Sequence, residues 1–136
     1  MTKEDWAKVE KALSGTYGHA IIQADGRRVT FQRCMVGKNR LGIRTYIDGT
    51  MDGAWMMPKN ECPERVYLRP DSRYIHSPKQ RARLKKLTKR VLKEMGDYWN
   101  PDAKYLIYNP SWPNATAIRR HYQKTFESIE LIEVVG

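Results

Sequence analysis

The sequence predicts an α+β fold: an antiparallel or mixed sheet of about five to six strands that begins as an N-terminal meander, with three helices packed mainly on one face. Three observations carry this. Alternating apolar segments separated by Asp-Gly and Gly-Lys turns fill residues 17 to 69. A helical apolar series follows a Ser-Pro start in the middle of the chain, and a strand–helix–strand succession closes it. At 136 residues, one basic α+β domain, 1–136, accounts for the whole sequence.

Thr2 is placed to cap a first helix, with Asp5 three residues on and Trp6, Val9 and Leu13 on one face before Gly15 and Gly18 stop it. His19 to Ala24 forms an apolar strand, and Asp25-Gly26 is a hairpin signal. Val29, Phe31, Arg33 and Met35 then alternate with Thr30, Gln32 and Cys34. Beyond the turn at Gly37 to Arg40, Leu41, Ile43, Thr45 and Ile47 alternate in the same way up to Asp48-Gly49. Short strands are expected at Ala54 to Met57 and at Arg65 to Arg69, each closed by a proline.

Ser77-Pro78 reads as an N-cap and first helical residue; Leu84, Leu87, Val91 and Met95 recur on one face, and Gly96 ends the helix. A single long helix from Ser77 to Met95, its apolar face against the sheet, is therefore expected. Tyr105 to Tyr108 suggests a strand, Asn109 to Pro113 a rigid loop, Asn114 a cap for a helix to about Phe126, and Ile129 to Val135 a last strand.

Charge is the strongest functional signal. Twenty-five Lys and Arg oppose fifteen Asp and Glu, a formal +10 with a pI near 9.8. The excess gathers in residues 61–100, which carry eleven basic and five acidic side chains, against four of each in 101–136. Within the long helix stand Lys79, Arg81, Arg83, Lys85, Lys86, Lys89, Arg90 and Lys93, opposed only by Glu94. The i, i+4 pairs Arg81/Lys85, Lys85/Lys89, Lys86/Arg90 and Lys89/Lys93 repel, and cations at Lys79 and Arg81 oppose the helix dipole. A solubility face normally mixes signs, so this pattern points to an external polyanion whose counterions are released on binding. The bland reading is a solvated face above a packed apolar stripe.

The expected function is thus a small non-enzymatic nucleic-acid-binding module, for DNA or RNA, making sequence-tolerant contacts to the phosphate backbone through those eight cations, with Arg119, Arg120 and Lys124 of the later helix extending the surface. Arg28, Lys38, Arg40 and Arg44 lie near turns or on the solvent side of the hairpins, where Tyr46 offers a stacking face or a cross-strand packing residue. No helix-turn-helix pattern or RRM-type aromatic octapeptide is present, so base reading is not expected.

The alternative is a protein-binding modulator or inhibitor of a larger nucleoprotein complex, with Trp99, Tyr105, Tyr108 and Trp112 as anchors; the basic helix face equally suits docking to an acidic protein. A third reading, a Mg²⁺-dependent nuclease, rests on Asp48 and Asp52 and competes with their service in turns. His19, His76, His121, Cys34 and Cys62 lack zinc spacing and no phosphate-binding glycine motif occurs, so neither metal nor other cofactor is expected. Without a signal-like opening or an 18-residue apolar run, a cytoplasmic protein with two free thiols and no membrane partner is expected.

Overall fold

The computed structural model describes residues 1–136 as an α+β protein of four α-helices, a five-stranded sheet and a two-stranded sheet. It divides into two compact units, Met1–Arg69 with Tyr108–Gly136, and Pro70–Ile107.

The larger unit holds α1 (Lys3–Ser14), β1 (His19–Ala24), β2 (Arg27–Gly37), β3 (Arg40–Ile47), β6 (Ser111–Trp112), α4 (Ala115–Thr125) and β7 (Ile129–Val135). Its sheet runs β6-β3-β2-β1-β7 with every pairing antiparallel, so the N-terminal meander is flanked by strands from the C-terminal third. Local chemistry fixes its corners. Thr2 and Asp5 form a reciprocal capping box at the start of α1. Between β1 and β2, Asp25 and Gly26 both take positive φ, 47° and 86°, the two-residue turn whose twist matches a hairpin. Asn114 accepts a hydrogen bond from the Ala117 amide to cap α4.

The centre of the sheet alternates between a buried and an open face. Ala20, Ile22, Ala24, Val29, Phe31, Ile43, Thr45 and Ile47 are buried on the side where α1 and α4 supply Trp6, Val9, Leu13, Ile118 and Tyr122. The polar ends of the core aromatics are satisfied, as burial requires: Trp112 Nε1 donates to Thr45 Oγ1 at 2.8 Å, Tyr122 Oη to the Tyr67 carbonyl at 2.7 Å, and Tyr67 Oη to the Ala24 carbonyl at 2.8 Å. β2 outruns β1, which reaches only as far as Gln32, so the β2–β3 tip from Met35 to Leu41 projects beyond the core with both of those residues exposed.

Two expected strands are replaced by 3₁₀ turns, Gly53–Met56 and Pro63–Tyr67. Asp52 accepts from the Ala54 amide and Pro63 sits at the start of the second turn, so local caps win over short apolar runs. The strand expected to stop at Arg69 begins there instead, as β4 (Arg69–Tyr74), and pairs only with β5 (Lys104–Asn109). In a two-stranded sheet both strands are edges, which makes room for Pro70.

The smaller unit contains α2 (Pro78–Lys85), α3 (Lys89–Met95) and a 3₁₀ turn at Asp97–Trp99. The long helix expected from Ser77 to Met95 is therefore two helices. Ser77 caps the first through the Gln80 amide, Thr88 caps the second through the Val91 amide, and Gly96 ends it at φ 97°. Interrupting the helix at Lys86 to Thr88 trades helical hydrogen bonds for a good cap, and it separates the repelling pairs Lys85/Lys89 and Lys86/Arg90 from continuous helical geometry. The apolar face does not enter a core as expected: Leu84 is buried, whereas Leu87, Val91 and Met95 are 39%, 39% and 41% exposed.

Candidate nucleic-acid interface

Of the eight cations expected to meet phosphates, Lys79, Arg83, Lys85, Lys86, Lys89, Arg90 and Lys93 are exposed. Only Arg90 has an acidic partner among them, Glu94 at 3.6 Å, a solvated i, i+4 contact of little strength. The unit Pro70–Ile107 carries ten basic and four acidic residues, a net +6 of the chain's +10.

Arg81 is different. Its Nε donates to the Pro101 carbonyl at 2.8 Å, its Nη2 reaches Asp102 Oδ1 at 3.3 Å, and its guanidinium lies 3.4 Å from the centroid of the Tyr74 ring. Lys104 approaches the same ring at 4.6 Å. Two cations on one aromatic ring, with the arginine half-buried, make Arg81 an internal brace whose charge is already committed. Nothing in spacing along the chain separates Arg81 from its neighbours, because Tyr74 and Pro101 reach it from distant positions.

Arg119, Arg120 and Lys124 lie on α4 in the larger unit, where Ile118 and Tyr122 take the core side as expected. Arg120 and Lys124 are exposed and Arg119 is half-buried. Near them, His121 Nε2 stands 2.8 Å from the Val66 carbonyl; burial pushes this imidazole below its ordinary value, and Lys124 pushes it the same way.

The aromatic anchors of the alternative reading do not form one set. Trp99 and Tyr105 are exposed in the smaller unit, Trp99 stacked on the buried His76 ring at 5.6 Å. Tyr108 is half-buried under Arg65, at 5.4 Å. Trp112, 2% exposed and bonded to Thr45, is a core residue with no surface to offer.

Comparison with protein-family models, with curated proteins and with solved structures finds no match for this chain. Asp48 accepts from the Arg28 amide at 3.2 Å while holding a φ of 50° in its turn, and Asp52 accepts from the Ala54 amide at 2.9 Å. Both carboxylates are thus engaged by backbone amides, Asp48 across the hairpin and Asp52 within its own turn, and no group of three His, Cys, Asp or Glu side chains is arranged to hold a metal ion. Cys34 and Cys62 are free thiols, and no helix is long and apolar enough to cross a membrane.

Proposed function

We propose that this protein is a sequence-tolerant nucleic-acid-binding module that grips the phosphate backbone through the surface of α2 and α3. One observation carries the reading: seven cations over fifteen residues are exposed with a single weak acidic contact among them, and like charges still stand at i, i+4 within each helix, Lys79/Arg83 in α2 and Lys89/Lys93 in α3. Phosphates supply the missing counter-charge, and the released counterions supply the driving force. Arg81 is outside the contact set and holds the surface in shape through Tyr74, Pro101 and Asp102.

Binding of a mixed-sequence duplex, followed by fluorescence anisotropy, should weaken linearly on a log–log plot with salt. Replacing Lys85, Lys86, Lys89 and Arg90 together by Gln should reduce that slope by about 0.9 for each phosphate no longer neutralised. Absence of binding to both DNA and RNA at about 50 mM salt, where such contacts are strongest, would defeat the proposal.

A second reading has its own observation. Leu87, in the link, and Val91 and Met95, on α3, are each about two-fifths exposed among the same cations, which suits an acidic protein surface. Under that reading, Leu87→Ser with Val91→Ser abolishes partner capture while leaving the nucleic-acid salt slope unchanged.

A further inference from the structure

The five-stranded sheet has a second face. Helices α1 and α4 cover the side bearing Phe31, Ile43 and Ile47; the opposite side presents rows set by the strand register. Arg44, Gln32 and His19 form one row across β3, β2 and β1, and Tyr46, Thr30 and Ile21 form the next. Arg28 and Gln23 form a third, which ends on Glu130 of β7. Each of these side chains is half-buried or exposed, whereas Ala20, Ile22, Ala24, Val29, Phe31, Ile43, Thr45 and Ile47 on the helix side are buried.

Over β2 and β3 the charge of this face is one-sided, whereas its β7 edge carries Glu133 opposite Ile21 and Glu130 opposite Gln23. From Arg27 to Ile47 there are six basic residues and no acidic one. Two are committed: Arg27 pairs with Glu64 at 2.9 Å, and Arg33 donates to the Leu13 carbonyl from the helix side. Arg28, Lys38, Arg40 and Arg44 make no ion pair. Tyr46 packs against no other aromatic ring and stands opposite Thr30, two residues from Arg44. Residues two apart on one strand face are separated by about 6.8 Å, a spacing that sets a ring and a guanidinium side by side along an extended ligand.

We propose that this face, over β2 and β3, is a binding surface for single-stranded nucleic acid. Tyr46 stacks on a base, Arg44 and Arg28 contact the backbone, and the projecting tip with Lys38 and Arg40 extends the electrostatic track. A duplex keeps its bases stacked inside and has none to give Tyr46; an acidic peptide satisfies the arginines but leaves the ring without a planar partner. The combination of unpaired cations with an unpartnered ring on an open sheet therefore selects unpaired bases. The proposal stands on the larger unit alone and does not depend on α2 and α3.

The test is anisotropy of labelled ten-nucleotide oligo-dT and oligo-U with the full chain, the same oligonucleotide as duplex, and oligoglutamate as competitor. Tyr46→Leu should weaken single-strand binding about 5- to 140-fold, the range for removal of one base stack. Tyr46→Phe, which keeps the ring, should stay within about twofold, and duplex binding should be unaffected by either change. Arg44→Gln should lower the single-strand salt slope by about 0.7. The proposal is overturned if Tyr46→Leu binds single strands like the parent, if Tyr46→Phe weakens binding as much as Tyr46→Leu, if duplex binding falls equally, or if oligoglutamate competes as well as the oligonucleotide. In the quadruple Gln variant of α2 and α3, a retained Tyr46 effect supports this site whatever becomes of the helical one; loss of single-strand binding there with no Tyr46 effect in the parent refutes it.

Discussion

Tyr122 illustrates how single residues hold the larger unit. It is fully buried, meets Phe31 edge-on at 5.3 Å, and its hydroxyl serves the Tyr67 carbonyl, whose own side chain reaches back to Ala24. Tyr122→Phe keeps the ring and strands that carbonyl, so urea unfolding should show a destabilisation of about 1–3 kcal/mol with little change in slope. His121 makes stability depend on pH. Its folded value lies below the ordinary 6.5, so the unfolded chain takes up the proton first as pH falls. The contribution is complete above about pH 6.5 and is lost as pH drops toward the lowered folded value. Thermal melts between pH 7.5 and 5.5 should therefore show a falling Tm that is flatter in His121→Gln.

At the scale of elements, what could be read from the sequence was what its neighbours decide. Thr2 with Asp5, Asp25-Gly26, Asn114 and the strand Ile129 to Val135 all act within a few residues and stand where the chain chemistry placed them, although a register shift at Ile132 breaks the expected alternation and turns Val134 rather than Glu133 to the core. The 3₁₀ turns at 53–56 and 63–67 were hidden because short apolar runs do not distinguish a strand from a capped turn. The series Leu84, Leu87, Val91, Met95 announced an amphipathic helix but not whether anything would cover its apolar side, and Thr88, an ordinary interior residue in that series, is the cap that splits it. Thr88→Ala should lower the local stability of α3 by about 0.5–2 kcal/mol, read as faster amide exchange at Val91. Helical circular dichroism should not rise, because fusing the helices would restore the Lys85/Lys89 and Lys86/Arg90 repulsions. The candidate site was partly legible for the same reason: its charge is a property of the segment, while the diversion of Arg81 depends on Tyr74, Pro101 and Asp102.

Across the whole molecule, burial is uneven. The larger unit has one continuous aromatic and aliphatic core, whereas in Pro70–Ile107 only His76, Leu84, Pro101 and Ile107 are buried. A segment of that size without a larger core has little intrinsic stability. Amides in 78–99 should exchange well before those of β1 and β2, and saturating polyanion should slow them selectively; uniform protection along the chain would contradict this ordering. The interruption at Lys86 to Thr88 then acquires a mechanical meaning. One uninterrupted helix over residues 77–95 would be a straight rod of about 28 Å, touching a curved backbone near one point. Segments of about 12 Å and 10 Å joined by a short link form a two-part chain instead, a geometry that, under the proposed function, lets each part follow its own stretch of a bending backbone.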